Sequence, residues 1–398
     1  MAILPVNLAG DRRQAYDLGV GLLGAAIATL ASVTLLACGS RTGVLGFDEN
    51  PTEGGSAEAA DGGPCPSGLV MLASGLDRPA GIAVDDVNVY FSAAGTIMRV
   101  PKCGGSPVTL ANYSSDIGME PYNHNSTEAL TIDSTRVYWA VGGDVFSVPI
   151  EGGHTRTMVT VPDGIPAIAL GTENVYLALG TEGAIARVPL SADHRDSYGP
   201  LWGSQGFIRS LAIDSTSVYW TEDVRHGGGV NKIPLGGGPA KTTLASEPGQ
   251  AEHIAADGTS VYFTNNGGGA ATLLKVPLGG GVVTTLAAAP GLFLNVVVDS
   301  SHAYWAAIAG EDPNLGAILE VPIDGGEVTT LASQQASPAG LAVDETSVYW
   351  TAGMNEERRR PEADAEVRVV KGRRGSASCA IAGRGDAILS TRAHAPRS

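Results

Sequence analysis

Leu211-Ala-Ile-Asp-Ser-Thr-Ser-Val-Tyr-Trp-Thr221 decides the fold. A short apolar run closes on Asp214. Three small polar residues follow, and a second run begins at Val218. Val, Tyr and Trp suit a strand packed on both faces. An Asp at the turn can cap it with its own carboxylate. The segment therefore reads as two short strands joined by a tight turn.

The pattern recurs. Val89-Tyr90-Phe91, Val137-Tyr138-Trp139, Val175-Tyr176-Leu177, Val218-Tyr219-Trp220, Val261-Tyr262-Phe263, Ala303-Tyr304-Trp305 and Val348-Tyr349-Trp350 are one motif in seven copies. Successive Tyr positions lie 48, 38, 43, 43, 42 and 45 residues apart. In the fourth copy, Val230–Pro234 and Lys241–Ala245 read as a third and a fourth strand. Leu235-Gly-Gly-Gly238 between them supplies the positive φ of a hairpin. A period near 43 with four short strands per unit is that of a propeller blade. The expected fold is all-β, a seven-bladed β-propeller of four-stranded blades over residues 67–372.

The chain ends complete the count. Leu69–Ala73 reads as a strand without a blade, and the seventh unit has no fourth strand after Val367–Val370. The N-terminal strand is expected to fill that place and close the ring. An open solenoid would need polar capping units, and nothing here resembles one.

The Asp-x-x-x-Val-Tyr-Trp core, seen at Asp214–Trp220 and Asp344–Trp350, resembles YWTD-type and NHL-type propellers, and more loosely TolB-like repeats. The resemblance spans about residues 69–372. It departs from the YWTD pattern in its fourth position, which is not a regular Thr-Asp, and in its seven copies rather than six. The resemblance thus implies the fold more than a function.

The first forty residues are not expected to belong to the fold and carry the pattern of an export signal. Arg12 and Arg13 precede an uncharged run, Gly19–Ala37, and Leu35-Leu36-Ala37-Cys38 resembles a lipoprotein lipobox. That resemblance implies a signal peptide over 1–37, diacylation of Cys38 and, with Gly39 following, the outer membrane. Plain secretion and an uncleaved membrane helix are the alternatives. Residues 38–66 are poor in large apolar side chains and are expected to be a flexible tether.

Cys65 precedes the closing strand, and Cys103 falls in a third-to-fourth-strand turn. A Cys65–Cys103 disulfide would pin the incoming chain near the seam in an oxidising compartment. Single thiols are the alternative. No Cys/His spacing suggests zinc. The basic residues 373–398 are expected to be a disordered or aberrant tail, with a basic interaction tail as the alternative.

The formal net charge is −16, and residues 1–353 carry 15 Lys+Arg against 35 Asp+Glu. Such a body argues against nucleic-acid binding, which neutralises phosphates. No cofactor is expected, and a monomer is expected.

In a propeller, the segments entering the first strand and those between second and third strands share one face, around the central channel. Glu128, Arg209, Glu252, His253 and Asn295 fall before first strands. Glu182, Glu222, Asp223, Arg225, His226, Asn265, Asn266, Glu311 and Asp312 fall between second and third strands. All depart from the repeat. The longest insertion, Asn112–Glu128, is a candidate contact loop. His253, Glu252, His226 and Arg209 could form an acid–base cluster, but no nucleophile–base–orienter set can be read. Asp85, Asp133, Asp214, Asp257, Asp299 and Asp344 could suggest a metal ring, yet their fixed place makes turn capping the expected role. The leading expectation is a non-catalytic scaffold binding a protein, peptide or glycan on the channel face. A metal-dependent lyase or hydrolase, and envelope assembly support, are the alternatives.

Overall fold

The computed structural model describes residues 68–113, 129–180, 183–192, 198–203, 206–223, 228–247, 249–267, 269–310, 316–353 and 365–371. Seven four-stranded antiparallel sheets make up this part of the chain. Six use strands consecutive in sequence. The seventh orders Leu341–Val343, Ser347–Ala352, Ala365–Lys371 and then Gly68–Leu76, so the N-terminal strand supplies its outer edge. The first strand of every blade touches the first strand of the next, including blade 7 against blade 1. The ring is closed, as the sequence led us to expect.

The motif's two-sided character explains the packing. Successive residues of a strand face opposite sides. Tyr219 enters the core between blades 4 and 5, while Val218 and Trp220 enter the core between blades 3 and 4. Every other blade divides its motif the same way, which yields seven apolar cores, one per seam. The motif aromatics Trp139, Trp220, Trp305, Trp350, Phe91 and Phe263 are all at most 1% exposed. Burying one such side chain contributes about 1.5–3 kcal/mol.

The turn after each first strand is tied to the motif. Asp214 Oδ1 accepts the backbone N–H groups of Thr216 and Ser217, at 2.7 and 2.8 Å. Its Oδ2 accepts the Tyr219 hydroxyl at 2.7 Å. Asp85–Tyr90, Asp133–Tyr138, Asp257–Tyr262, Asp299–Tyr304 and Asp344–Tyr349 repeat the arrangement at 2.6–3.0 Å. The carboxylates are turn caps that also satisfy a buried phenol. Burial alone would raise their pKa values, but the donated hydrogen bonds outweigh it and the six acids titrate below the usual carboxylate range. Desolvation and then the Asp partner push Tyr90 and Tyr219 up to about 12. Blade 3 has Gly171 in place of the Asp, and a Cβ there would lie 2.9 Å from the Tyr176 ring.

Basic side chains clip neighbouring blades at this same end. Arg99 donates to Ile150 O at 2.8 Å, Arg156 to Leu190 O at 2.8 Å and Arg187 to Leu235 O at 3.3 Å. Lys232 reaches Leu278 O at 2.5 Å and Lys275 reaches Ile323 O at 2.7 Å. At the closing seam Lys102 instead pairs with Asp344 at 2.8 Å, across blades 1 and 7. Cys103, next to it, is disulfide-bonded. Cys65, its expected partner, lies outside the described residues, as does Cys38. The Gly-rich third-to-fourth-strand turns adopt positive φ, for example 84° at Gly237 and 80° at Gly280.

Candidate functional site

At the opposite end, the first strands of blades 4, 5 and 6 begin earlier than the sequence suggests. They span Phe207–Ile213, Ala251–Ala256 and Leu292–Val298. Arg209, Glu252, His253 and Asn295 were expected in loops before these strands. They lie inside them, at breaks in register. Pairing slips between Ile208 and Ser210, between Ala251 and Ile254, and between Phe293 and Val296. These are β-bulges, and a bulge re-aims its side chains. Pairing resumes beyond each bulge, which is why the strands continue through residues that read as loop.

The bulge of blade 5 is held by its neighbours' polar groups. Thr264 Oγ1 accepts the His253 backbone N–H at 3.1 Å. Thr221 of blade 4 donates its hydroxyl to Glu252 O at 2.7 Å. The fourth motif position thus has a local task wherever it carries a hydroxyl. Ser92 and Thr351 repeat it by accepting N–H from Gly81 and Gly340, both at 2.9 Å.

Three charges meet between blades 4 and 5. The Arg209 guanidinium donates to Asp223 Oδ2 at 2.8 Å and to Glu252 Oε2 at 3.2 Å. It also stands 5.8 Å from the centre of the Phe207 ring. Desolvation raises the Glu252 pKa; Arg209 opposes this and Asp223 adds to it. His253 is pushed down to about 4, first by desolvation and then by Arg209, with Asn295 opposing. Its imidazole is therefore neutral at physiological pH.

His253 opens onto a cavity of about 200 Å³, lined also by Leu294, Asn295, Ile308, Ser337, Pro338 and Ala339. Asn295 Nδ2 donates to Ala339 O at 3.2 Å and links blade 6 to the segment entering blade 7. Ser337 in that segment and Gln334 near the end of the last strand of blade 6, Thr329–Gln335, are non-glycine residues at positive φ, 41° and 56°. Gln335 between them is clamped by the Trp350 indole N–H at 3.0 Å. Sequence reasoning missed Leu294 and Ile308, apolar strand residues that look like ordinary core, and Ser337–Ala339, small residues before a strand that look like ordinary linker.

Other expected contact residues work inside the fold. Glu222 is 3% exposed, and its Oε2 accepts from Lys241 at 2.6 Å, Asn231 at 3.1 Å and Trp220 at 3.2 Å. Asn266 bonds both N and O of Phe293 at 2.9 Å, stitching blade 5 to blade 6. Asn265 is buried, and its side chain accepts Gly267 N–H at 3.2 Å. Glu128, Glu182, Arg225, His226, Glu311 and Asp312 lie outside the described residues, as does 114–128 of the long insertion. Among the described residues, no group of three or more His, Cys, Asp or Glu is placed to hold a metal.

Fold and site together define a seven-bladed propeller with a polar, bulge-built channel mouth on blades 4 to 6. No protein-family model matches the chain, and no curated protein does. Many solved structures are similar to it. YCF48 bound to a D1 peptide is 11% identical with a TM-score of 0.54, over 76% of this chain and 94% of that one. A puromycin-hydrolyzing peptidase of Mycobacterium tuberculosis is 12% identical with a TM-score of 0.54; 73% of this chain matches about half, 52%, of the peptidase. A nidogen/laminin complex is 17% identical with a TM-score of 0.45, over 55% of this chain and 86% of that one. At such identities the likeness shows the fold alone, and propellers of this fold include both binding scaffolds and enzymes.

Proposed function

We propose that this chain is an exported, non-catalytic binding scaffold that holds a protein or peptide at the channel mouth of blades 4 to 6. One observation carries the reading. Arg209, Glu252, His253 and Asn295 stand at the bulges of three successive first strands, His253 and Asn295 line a cavity, and the repeat requires none of the four. YCF48 has the same fold and was solved with a peptide, which is consistent with such use. The lipobox at Leu35–Cys38 supports attachment to the outer membrane through a lipid on Cys38. Incorporation of radiolabelled palmitate, lost in Cys38→Ala, tests the anchor. The scaffold is tested by placing a photo-crosslinking phenylalanine analogue at Phe207 and irradiating envelope fractions. A discrete adduct that disappears on Arg209→Ala supports it. No adduct, or one indifferent to Arg209, overturns it.

Hydrolysis is the second reading, favoured by one observation: His253, Asn295 and Ser337 line the same cavity. A neutral imidazole and a hydroxyl on strained backbone that line one cavity are the starting point for an activated nucleophile. Covalent labelling of Ser337 by a fluorophosphonate would install this reading in place of the scaffold. An unlabelled Ser337 removes it.

A further inference from the structure

We propose that the channel mouth recognises a peptide segment in which a lysine or arginine stands beside an apolar side chain; this rests on the scaffold reading above. The charge balance selects the cation. Arg209 is the cation of its cluster; its two terminal nitrogens pair with Glu252 and Asp223, and its buried Nε–H has no acceptor among the described residues. An anionic ligand would have to compete with two carboxylates already seated on the guanidinium. A cationic group meets one surplus negative charge instead, within a body of 35 acidic and 15 basic residues. Glu252, held partly away from water, gains most from such a partner, because desolvation disfavours its ionised form and a cation restores it.

The cavity selects the apolar neighbour. Pockets for free small molecules usually enclose about 300–1,000 Å³. This one, at about 200 Å³, suits a single side chain. Leu294, Ile308, Pro338 and Ala339 give it apolar walls, and each methylene seated there contributes about 0.8 kcal/mol. Phe207, 44% exposed, and Leu292, 46% exposed, open the first strands on either side of blade 5. They offer an apolar rim to the rest of the segment. Neutral His253, Asn295 and Ser337 present hydrogen-bonding groups to its main chain. The Gln335–Trp350 clamp holds one wall in place before the ligand arrives, which limits the ordering cost of binding.

The test is a random heptapeptide phage library panned on the immobilised full chain, followed by calorimetric titration of the enriched synthetic peptide. The expected consensus places Lys or Arg next to Leu, Ile, Met or Phe. Its Kd should rise about tenfold in the Asp223→Asn/Glu252→Gln double variant, the order of one lost partly buried ion pair. It should rise by a similar factor in Ala339→Leu, which fills the cavity, while far-UV circular dichroism stays unchanged. On the unaltered chain, binding should weaken as salt increases. An acidic or uncharged consensus that still loses affinity in Ala339→Leu overturns the ligand class and leaves the mouth as a binding site. A basic consensus unaffected by the double variant and by salt does the same. No enriched peptide, or one indifferent to both variants, overturns the ligand class and the scaffold reading together.

Discussion

The two ends of this propeller are made from the same strands and obey different rules. At the turn end, six blades repeat one Asp–Tyr hydrogen bond, and basic side chains reach the backbone of the next blade. At the mouth, the first strands of blades 1, 4, 5 and 6 break register, and each bulge carries different side chains. Uniformity marks what the ring needs in nearly every blade. Departure marks what it needs once. The blade 5 bulge is held through its backbone N–H and C=O groups, not through the Glu252 or His253 side chains. Those side chains are therefore available for another use.

The largest break in the comparison comes from the seam cores. Trp350→Ala should cost about 3–5 kcal/mol, read as a lower midpoint in urea unfolding. It also strands Gln335 at the mouth, so this variant loosens both ends. Next comes the turn. Asp257→Ala removes two backbone caps and leaves the buried Tyr262 hydroxyl without its acceptor, for about 2–3 kcal/mol. If the loss stayed below about 0.5 kcal/mol, the repeated carboxylate would have no structural task.

The closing seam gives an effect of about 2 kcal/mol with a defined pH window. Burial alone would raise the Asp344 pKa, but Lys102, the backbone caps and Tyr349 bring it from 3.8 to about 2. The folded chain keeps Asp344 ionised where the unfolded chain protonates it. Its stabilisation is complete above about pH 4 and is lost as pH falls through 2. Lys102→Met should flatten the fall in urea midpoint across that window. An unchanged slope would mean the ion pair contributes nothing to closure. A smaller signal still is the imidazole of His253, which should titrate near pH 4 by NMR. Titration near 6.5 would place it in water, outside the cavity wall.

The same contrast explains what the sequence disclosed. Val218-Tyr-Trp and its relatives announced the blade because every seam needs the same two-sided strand. Leu69–Ala73 was legible as the closing strand because it was an orphan. The clips were legible in principle, since Arg99, Arg187, Lys232 and Lys275 each stand two residues before a proline that ends the third strand. The mouth was half legible. Arg209, Glu252, His253 and Asn295 stood out by breaking the repeat, but a bulge leaves no composition signal, so they read as loop. Glu222 and Asn266 broke the repeat equally and proved to be internal fastenings. The cavity's far wall, Ser337–Ala339, comes from another blade and has no chemical signature of its own.

Thermal unfolding of one variant tests the division of labour directly: Arg209→Ala, Glu252→Ala, His253→Ala and Asn295→Ala combined in the full chain. We predict a cooperative transition within about 2 °C of the unaltered chain, corresponding to about 1 kcal/mol for a domain of this size. A fall as large as that of Asp257→Ala, or a broadened transition, would mean that the mouth residues hold the ring together, and would contradict the assignment of this face to binding.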